Sequence, residues 1–242
     1  MSEHAPGYYR DRWKSKPVLR AIYADYYRRI LAECTPGRSL EIGGGSGNLK
    51  EYKSDVVSTD IVPSPWSDAA ADAQALPFAD SSFANIVVVD VLHHIQWPRR
   101  FLAEAARVLQ PGGRLILLEP AITPVSWLAY KFFHPEPVRM DANPLADGEV
   151  DPERDPFDAN SAIPSLLFGR YSKQFAAAFP QLRVVKIDRL SYIAYPLSGG
   201  FRSWSLIPAA MVDKVLGIEG ILAPILAPLM AFRLFVAVQK SE

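Results

Sequence analysis

A short apolar run that ends in four closely spaced glycines constrains this chain more than any other segment. Ser39–Ile42 has the composition of a buried strand, Gly43–Gly47 follows as Gly-Gly-Gly-Ser-Gly, and a helix is predicted from Asn48. Glycine permits a tight turn and lets a ligand lie against the backbone. Because open α/β sheets bind ligands at the carboxyl ends of their strands, this unit predicts a nucleoside-binding turn.

Strand and helix patterns alternate along the rest of the chain. Apolar residues recur at helical spacing over Pro17–Cys34, which predicts an amphipathic helix. The alternation is typical of a parallel sheet covered by helices, and 242 residues suit one α/β domain better than two independent cores. The other predicted elements are the strands Val56–Asp60, Asn85–Val89, Arg114–Leu118, Leu182–Ile187 and Leu234–Val238, and the helices Arg99–Leu109 and Ser172–Phe179.

Charge and cysteine content exclude several classes of partner. Lys plus Arg and Asp plus Glu number 26 each, so the chain has no global field to hold a phosphate backbone and no nucleic-acid partner is expected. Cys34 is the single cysteine, which excludes an internal disulfide and a paired-cysteine zinc site, and no metal is expected. The first residues lack the apolar core of a signal peptide, so we expect a cytoplasmic protein. The oligomeric state is left open.

Two segments interrupt the regular alternation. Residues 134–164 hold six prolines and eight acidic residues against two arginines, which predicts a loop or lid. Residues 191–232 are aromatic and apolar, with no charge over 220–232, but Pro224 and Pro228 argue against a membrane span. This segment predicts capping helices over a pocket, and contact with a membrane surface stays open as an alternative.

These features divide one domain into four parts. Residues 1–37 form an N-terminal helical segment, and residues 38–120 form the cofactor-binding half. Residues 121–170 form a lid insertion. Residues 171–242 complete the domain and include a helical cap at 191–232.

Acidic residues near the next strand ends narrow the choice of cofactor. A dinucleotide-binding GxGxxG turn would need glycine where the chain has Asn48, which disfavours a nicotinamide cofactor but leaves it as an alternative. Asp60 closes the second predicted strand, where a carboxylate accepts hydrogen bonds from ribose hydroxyls. Asp72 lies twelve residues further on, and its carboxylate suits the amino group of adenine.

Three ordered motifs resemble those of class I S-adenosylmethionine-dependent methyltransferases of the small-molecule type, the methyltransferase domain 11-like group. They are the Glu41–Gly47 turn, Asp60 and the Asp72–Phe83 segment with its Leu-Pro-Phe sequence. The resemblance implies a Rossmann-like, seven-stranded, mostly parallel sheet with an antiparallel last strand and helices on both faces. It also implies S-adenosyl-L-methionine as the cofactor and an enzyme that transfers its methyl group.

The same resemblance implies the positions that contact the cofactor. Glu41 would lie near the methionine end, Asp60 would hold the ribose, and Asp72 would contact the adenine edge. Three glycines would line the backbone cradle, and the segment after the fourth strand would lie beside the cofactor. The full set is Glu41, Gly43, Gly45, Gly47, Asp60, Ile61, Asp72, Ala73, Asp90 and Val91.

Three histidines are candidate catalytic residues. His93 and His94 follow the fourth predicted strand, and His134 stands at the start of the proline-rich segment. A histidine with a pKa near neutrality can remove a proton from a hydroxyl nucleophile. Each could instead serve packing or loop hydrogen bonds.

The lid and cap carry the aromatic residues expected to line an acceptor pocket. We therefore expect O- or C-methylation of a small, partly apolar acceptor. Two alternatives are a nicotinamide-dependent oxidoreductase and a methyltransferase-like protein that binds the cofactor without turnover. The candidate lining residues are Trp127, Tyr130, Phe132, Phe133, Tyr192, Tyr195, Phe201 and Trp204.

Overall fold

Seven strands form one mixed sheet in the computed structural model, which describes residues 6–242. The strand order is β3-β2-β1-β4-β5-β7-β6, and β7 is antiparallel to both of its neighbours while β1 to β5 run parallel. This confirms the predicted sheet with an antiparallel last strand. The bounds are β1 Ser39–Ile42, β2 Val56–Asp60, β3 Ala69–Ala70, β4 Phe83–Val89, β5 Leu109–Pro120, β6 Leu182–Leu190 and β7 Arg233–Lys240.

Helices cover both faces of the sheet. Side chains alternate along the central strands, so that Ile86 and Val88 of β4 join one core cluster while Val87 joins the other. Phe101 and Val108 of one helix pack in the first cluster, and Leu19 and Ile22 of another helix pack in the second. The helices are α1 Pro6–Ser15, α2 Pro17–Glu33, α3 Pro98–Val108, α4 Pro124–Phe133, α5 Ile163–Ser165, α6 Ser172–Ala178, α7 Ala194–Ser198 and α8 Val212–Met230.

The helix predicted from Asn48 is wrong. The glycine turn is followed only by a 3-10 turn, Leu49–Glu51, before the chain enters β2 at Val56. Leu49 is fully buried and anchors that turn. Eight residues separate Gly47 from Val56, too short a connection for a helix of several turns as well as a return to the sheet.

Helix α1 lies within the predicted N-terminal helical segment 1–37, but the only helix predicted there was Pro17–Cys34, because the sequence of α1 lacks a clear apolar period. Tertiary contacts stabilise it instead: Trp13 is buried against Tyr23 and Tyr27, and Arg10 forms an ion pair of 3.0 Å with Glu51. Lys16, which lies between α1 and α2, also contacts residues 198–204 of the predicted cap. Lys16 Nζ donates to the carbonyl oxygens of residues 198, 200, 202 and 204 at 2.6–2.9 Å.

Residues 134–162 form an irregular segment that runs along the loop after β4. Several bonds attach it to that loop and to the start of α3. They include Asn160 N–H to the His93 carbonyl (2.9 Å), Arg154 to the His94 carbonyl (2.7 Å), Trp97 Nε1–H to the Glu149 carbonyl (2.9 Å) and Arg100 to Asp147 (2.7 Å). Of the helices within residues 6–242, none has both the length and the apolar character needed to cross a bilayer.

Candidate cofactor and acceptor site

The glycine turn lies at the carboxyl end of β1 and takes a backbone path that favours glycine. Gly43, Gly45 and Gly47 have φ angles of 71°, 42° and 69°. A Cβ atom on Gly43 would collide with the side chain of Val91, and one on Gly47 would lie 2.7 Å from Trp66 Cβ. The turn is therefore held closely between the segment after β4 and the loop after β2.

Asp60 ends β2 beside this turn. Its carboxylate accepts the N–H groups of Gly45 at 2.8 Å and Val62 at 2.9 Å. These bonds fix the carboxylate and use only part of its acceptor capacity. The next side chain, Ile61, is 52% exposed. It therefore presents an apolar surface beside the Asp60 carboxylate at the edge of the sheet.

Asp72 and Ala73 follow β3 on the neighbouring edge. Asp72 Oδ1 accepts the Gln74 N–H at 2.8 Å, and Ala73 is buried. The Ala71 N–H donates to the Asp60 carbonyl at 3.0 Å. The Asp60 and Asp72 segments therefore lie side by side at this edge of the sheet.

Glu41 is a buried carboxyl group beneath the turn. Ser58 Oγ–H donates to its Oε2 at 2.5 Å, and none of the described residues forms an ion pair with it. Burial raises the pKa of Glu41 to about 7, against the opposing effect of the Ser58 hydrogen bond.

Asp90 follows β4 with a φ of 57°, in the left-handed region. Its carboxylate forms an ion pair with the buried guanidinium of Arg233 and accepts the Tyr23 hydroxyl at 3.3 Å. Arg233 also donates to Tyr195 Oη at 2.6 Å. The Asp90 side chain is thus engaged in the protein interior, while Val91 faces the glycine turn. Sequence reasoning did not identify Arg233, which stands alone in an apolar run without a motif.

His93 is enclosed by two carboxylates. Its Nδ1 lies 2.6 Å from Glu119 Oε2, and its Nε2 lies 3.3 Å from Glu136 Oε2. Burial alone would lower the pKa of His93, but the two carboxylates outweigh it and raise that pKa to about 10. His93 is therefore protonated at neutral pH and unsuited to accept a proton. Glu119 also accepts the N–H groups of Val91 and Leu92, so His93 belongs to a network that fixes the loop after β4.

His94 and His134 behave differently. Burial and the charge of His93 lower the pKa of His94, and its Nδ1 is buried without a hydrogen-bond partner. Burial also lowers the pKa of His134, whose Nδ1 accepts the Glu136 N–H at 3.3 Å. The lowered pKa favours the neutral form of both rings. With Nδ1 of His134 as acceptor, its proton resides on Nε2, which leaves that nitrogen as a donor.

His134 lines a cavity of about 300 Å³ between α4 and the start of the irregular segment. Trp127, Tyr130 and Lys131 form the α4 wall, and Glu136 lies opposite. A second cavity of about 180 Å³ is lined by His93, Trp97, Arg154 and residues near them. Of the aromatic residues predicted to line a pocket, Trp127 and Tyr130 line the larger cavity. Tyr192 is buried, and Phe132, Phe133 and Trp204 are exposed.

Three of these groups also approach a metal-ligand arrangement. Ligand atoms of His93, His94 and Glu136 lie within 4.8 Å of one another. This set could hold a divalent cation, although both ring N–H groups of His93 already donate to the carboxylates of Glu119 and Glu136.

Comparison with known proteins shows a likeness to one family. Residues 40–117, from β1 to β5, match a family model described as a methyltransferase domain. This part of the chain is therefore similar to a methyltransferase domain. The predicted resemblance to methyltransferases is confirmed. The glycine turn and Asp60 both lie within the matched residues.

Relatives of this methyltransferase domain include quinone methyltransferases. Demethylmenaquinone methyltransferase of Renibacterium salmoninarum is 32% identical over 112 residues, which cover 38% of this chain and 47% of that protein. Ubiquinone/menaquinone biosynthesis C-methyltransferase UbiE of Dinoroseobacter shibae is 31% identical, covering 42% of this chain and 49% of its own. The chain thus spans about half the length of these relatives.

A solved structure shares the fold of the methyltransferase domain across almost the whole chain. The SAM-dependent methyltransferase of Thermotoga maritima, described as a possible histamine N-methyltransferase, aligns with a TM-score of 0.56 and 18% identity. The alignment covers 96% of this chain and 94% of that one.

Proposed function

We propose that the protein binds S-adenosyl-L-methionine and methylates a small, partly apolar acceptor. The observation that carries this proposal is the Gly43–Gly47 turn at the end of β1, directly bonded to the Asp60 carboxylate at the end of β2. Asp60 offers acceptors to ribose hydroxyls, Ile61 offers an apolar surface to the adenine ring, and Glu41 lies beneath the turn. These residues fit an adenosyl cofactor.

The nicotinamide alternative fits this geometry less well. Dinucleotide sites place the pyrophosphate at the N-terminus of a long helix, where free N–H groups and the helix dipole favour negative charge. Here the glycine turn leads into Leu49–Glu51, a 3-10 turn too short to provide that dipole. A cofactor without a pyrophosphate needs no such helix.

The cavity beside α4 is the proposed acceptor site. When bound, S-adenosylmethionine supplies a methyl group activated on a sulfonium. Trp127 and Tyr130 provide aromatic walls, and Lys131 and His134 Nε2–H provide donors. Two donors would favour loss of the proton of an aromatic hydroxyl to solvent by stabilising the resulting anion, which is a stronger nucleophile at its oxygen and at the adjacent ring carbon than the neutral hydroxyl. His134 then acts through charge stabilisation and not as the base.

The names of the relatives suggest a definite acceptor class. Two of them act on demethylmenaquinone or in ubiquinone and menaquinone biosynthesis, as their names state. A reduced quinone or naphthol combines a flat apolar ring with a hydroxyl group, and both features match the walls and donors of the cavity. We infer that such a ring is methylated on carbon or oxygen.

Two measurements test the proposal. The melting temperature should rise with S-adenosylmethionine or S-adenosylhomocysteine and not with NADH; a ligand at a hundred times its dissociation constant adds about 2.7 kcal/mol to the free energy of unfolding. Incubation of reduced naphthoquinones and naphthols with methyl-labelled cofactor should give a product heavier by one methyl group. Stabilisation by NADH alone would refute the cofactor assignment. Cofactor binding without product would favour the non-catalytic alternative.

A further inference from the structure

Most of the exposed large hydrophobic side chains lie on α4, α8 and the loop that precedes α8. Within the described residues, eighteen large hydrophobic side chains are exposed, and twelve of them fall in these segments. The twelve are Val125, Leu128, Phe132, Phe133, Trp204, Leu206, Met211, Ile218, Ile221, Leu222, Ile225 and Leu229. We call this set the apolar surface.

Helix α8 is apolar on two opposite sides. Val212, Ala223 and Leu226 belong to the side that packs against the core. The other side carries Ile221, which is 79% exposed, and Ile225, which is 64% exposed. Positions 218, 221, 222, 225 and 229 recur at helical spacing, so the exposed residues form one stripe. A helix that is apolar all round and covered on one side alone requires an apolar environment on the other.

The three segments adjoin one another. Helix α4 packs against α8, and α8 contacts the 3-10 turn Ala209–Met211. The guanidinium of Arg202 donates to the carbonyl of Phe133, which attaches the loop to the end of α4. Exposed apolar patches on monomeric proteins rarely exceed a few hundred Å² unless they contact a partner. The exposed areas of Phe132 and Phe133, each of which is about two-thirds exposed, together amount to roughly half of such a patch.

The charges at the margins of the apolar surface match an anionic lipid bilayer. Exposed charged residues on these segments are Lys131, Arg202 and Lys214 against Asp213. Residues 220–232 carry none. Lys131 Nζ lies 4.7 Å from the centre of the Trp127 ring, a cation–π contact that keeps this charge on α4 beside the exposed apolar side chains of that helix. Cations around an exposed aromatic and aliphatic face are typical of helices that lie in a bilayer interface.

We propose that this apolar surface docks onto an anionic membrane, with α8 lying parallel to the bilayer plane. At 19 residues α8 is roughly 28 Å long, and the docked face would bury its stripe among the acyl chains. Helix α4 carries exposed Leu128 and Phe132 and also supplies Trp127, Tyr130 and Lys131 to the larger cavity. If the proposed function is correct, a lipophilic acceptor reaches that cavity directly from the bilayer.

Vesicle sedimentation tests the docking without any methyl transfer. The full chain should sediment with vesicles of equal parts phosphatidylcholine and phosphatidylglycerol, and less with phosphatidylcholine alone. The double variant Ile221→Gln/Ile225→Gln should lower the partition coefficient by about tenfold. The matched control is Val185→Gln/Ile187→Gln, because these side chains are also exposed but lie on β6, outside the apolar surface. It should sediment as the unchanged protein does.

A variant that removes one positive charge and the emission of tryptophan test vesicle binding independently of sedimentation. Lys214→Gln should weaken binding to the mixed vesicles and leave binding to phosphatidylcholine unchanged, because it removes attraction to the anionic headgroup alone. Tryptophan emission should shift to shorter wavelength on vesicle addition, and Trp204→Phe should reduce that shift. Melting curves confirm that each variant is folded.

Three results would overturn the proposal. One is no sedimentation with either vesicle, and another is equal sedimentation of the Ile221→Gln/Ile225→Gln variant. The third is a stable dimer in analytical ultracentrifugation that this variant dissociates while vesicles have no effect, which would assign the apolar surface to a contact between copies. Cofactor-dependent melting, measured without lipid, reports separately on the proposed function.

Discussion

At the residue scale, the glycine turn adjoins two carboxyl groups in contrasting environments. Asp60 accepts two backbone N–H groups, whereas Glu41 is buried with a single hydroxyl donor. Burial raises the pKa of Glu41 to about 7. The two groups therefore call for different tests, ligand affinity for Asp60 and stability against pH for Glu41.

Asp60→Ala should weaken the binding of S-adenosylhomocysteine by about 1–3 kcal/mol, because ribose hydroxyls would face a pocket without an acceptor. The same change frees the N–H groups of Gly45 and Val62, so part of the loss reflects a less ordered turn. Asp60→Asn, which keeps one acceptor oxygen, should lose less. Isothermal calorimetry measures the affinities, with the exposed Asp55→Ala as control. Unchanged affinity in a folded Asp60→Ala variant would show that Asp60 does not hold the ribose.

Glu41→Gln should stabilise the empty protein at alkaline pH. The pKa of Glu41 is raised from 4.5 in the unfolded chain to about 7 in the fold, so its contribution to stability is complete below pH 4.5 and is lost as pH rises through 7. The loss amounts to about 3 kcal/mol. Melting temperatures of the two proteins should converge near pH 4.5 and diverge in favour of Glu41→Gln by pH 8. Glu153→Gln, at an exposed carboxylate, should show no such divergence.

At the element scale, the irregular segment after α4 has little secondary structure and is anchored by side chains. Trp97 and Arg100 attach it at Glu149 and Asp147. A Cβ on Gly148 would lie 2.4–3.0 Å from the Trp97 ring, so the backbone rests directly on the indole. Whether this segment opens as a mobile lid stays a prediction, and its attachment gives a specific way to release it.

Trp97→Ala should accelerate protease cleavage between residues 141 and 158 several-fold, because it removes both a hydrogen bond and the indole support. Cleavage within β5 should remain slow. Limited proteolysis followed by mass spectrometry locates the cuts, and Tyr52→Ala, at another partly exposed aromatic residue, serves as control. If residues 141–158 resist protease as well as β5 does in both proteins, the segment belongs to the rigid fold and is no lid.

At the scale of the whole molecule, one ion pair joins distant parts of the chain. Asp90 at the end of β4 contacts Arg233 at the start of β7, Tyr23 of α2 donates to Asp90, and Arg233 donates to Tyr195 of α7. The side chain of Arg233 is 5% exposed and that of Asp90 is 29% exposed. The pair thus links the end of β4 to the last strand and to α7.

Asp90→Asn should lower the free energy of unfolding by about 3 kcal/mol, because the Arg233 charge would stay buried without its counter-ion. Chemical denaturation measures the change. Asp188→Asn, at a more exposed carboxylate on β6, should alter stability by less than about 1 kcal/mol. A similar small effect of both substitutions would mean that water reaches Arg233. The double variant Asp90→Asn/Arg233→Met should recover part of the loss, since it removes the unpaired charge.

The sequence by itself determined six of the seven strands, all but β3, together with the glycine turn and the acidic residues at the strand ends. β1 and β2 match their predicted bounds because apolar runs and turn residues are local signals. Tertiary structure decided the charge of His93, because Glu119 and Glu136 lie 26 and 43 positions away along the chain. It also shortened the predicted helix from Asn48 to one 3-10 turn and paired Asp90 with Arg233. These features depend on contacts between distant residues, which no local pattern encodes.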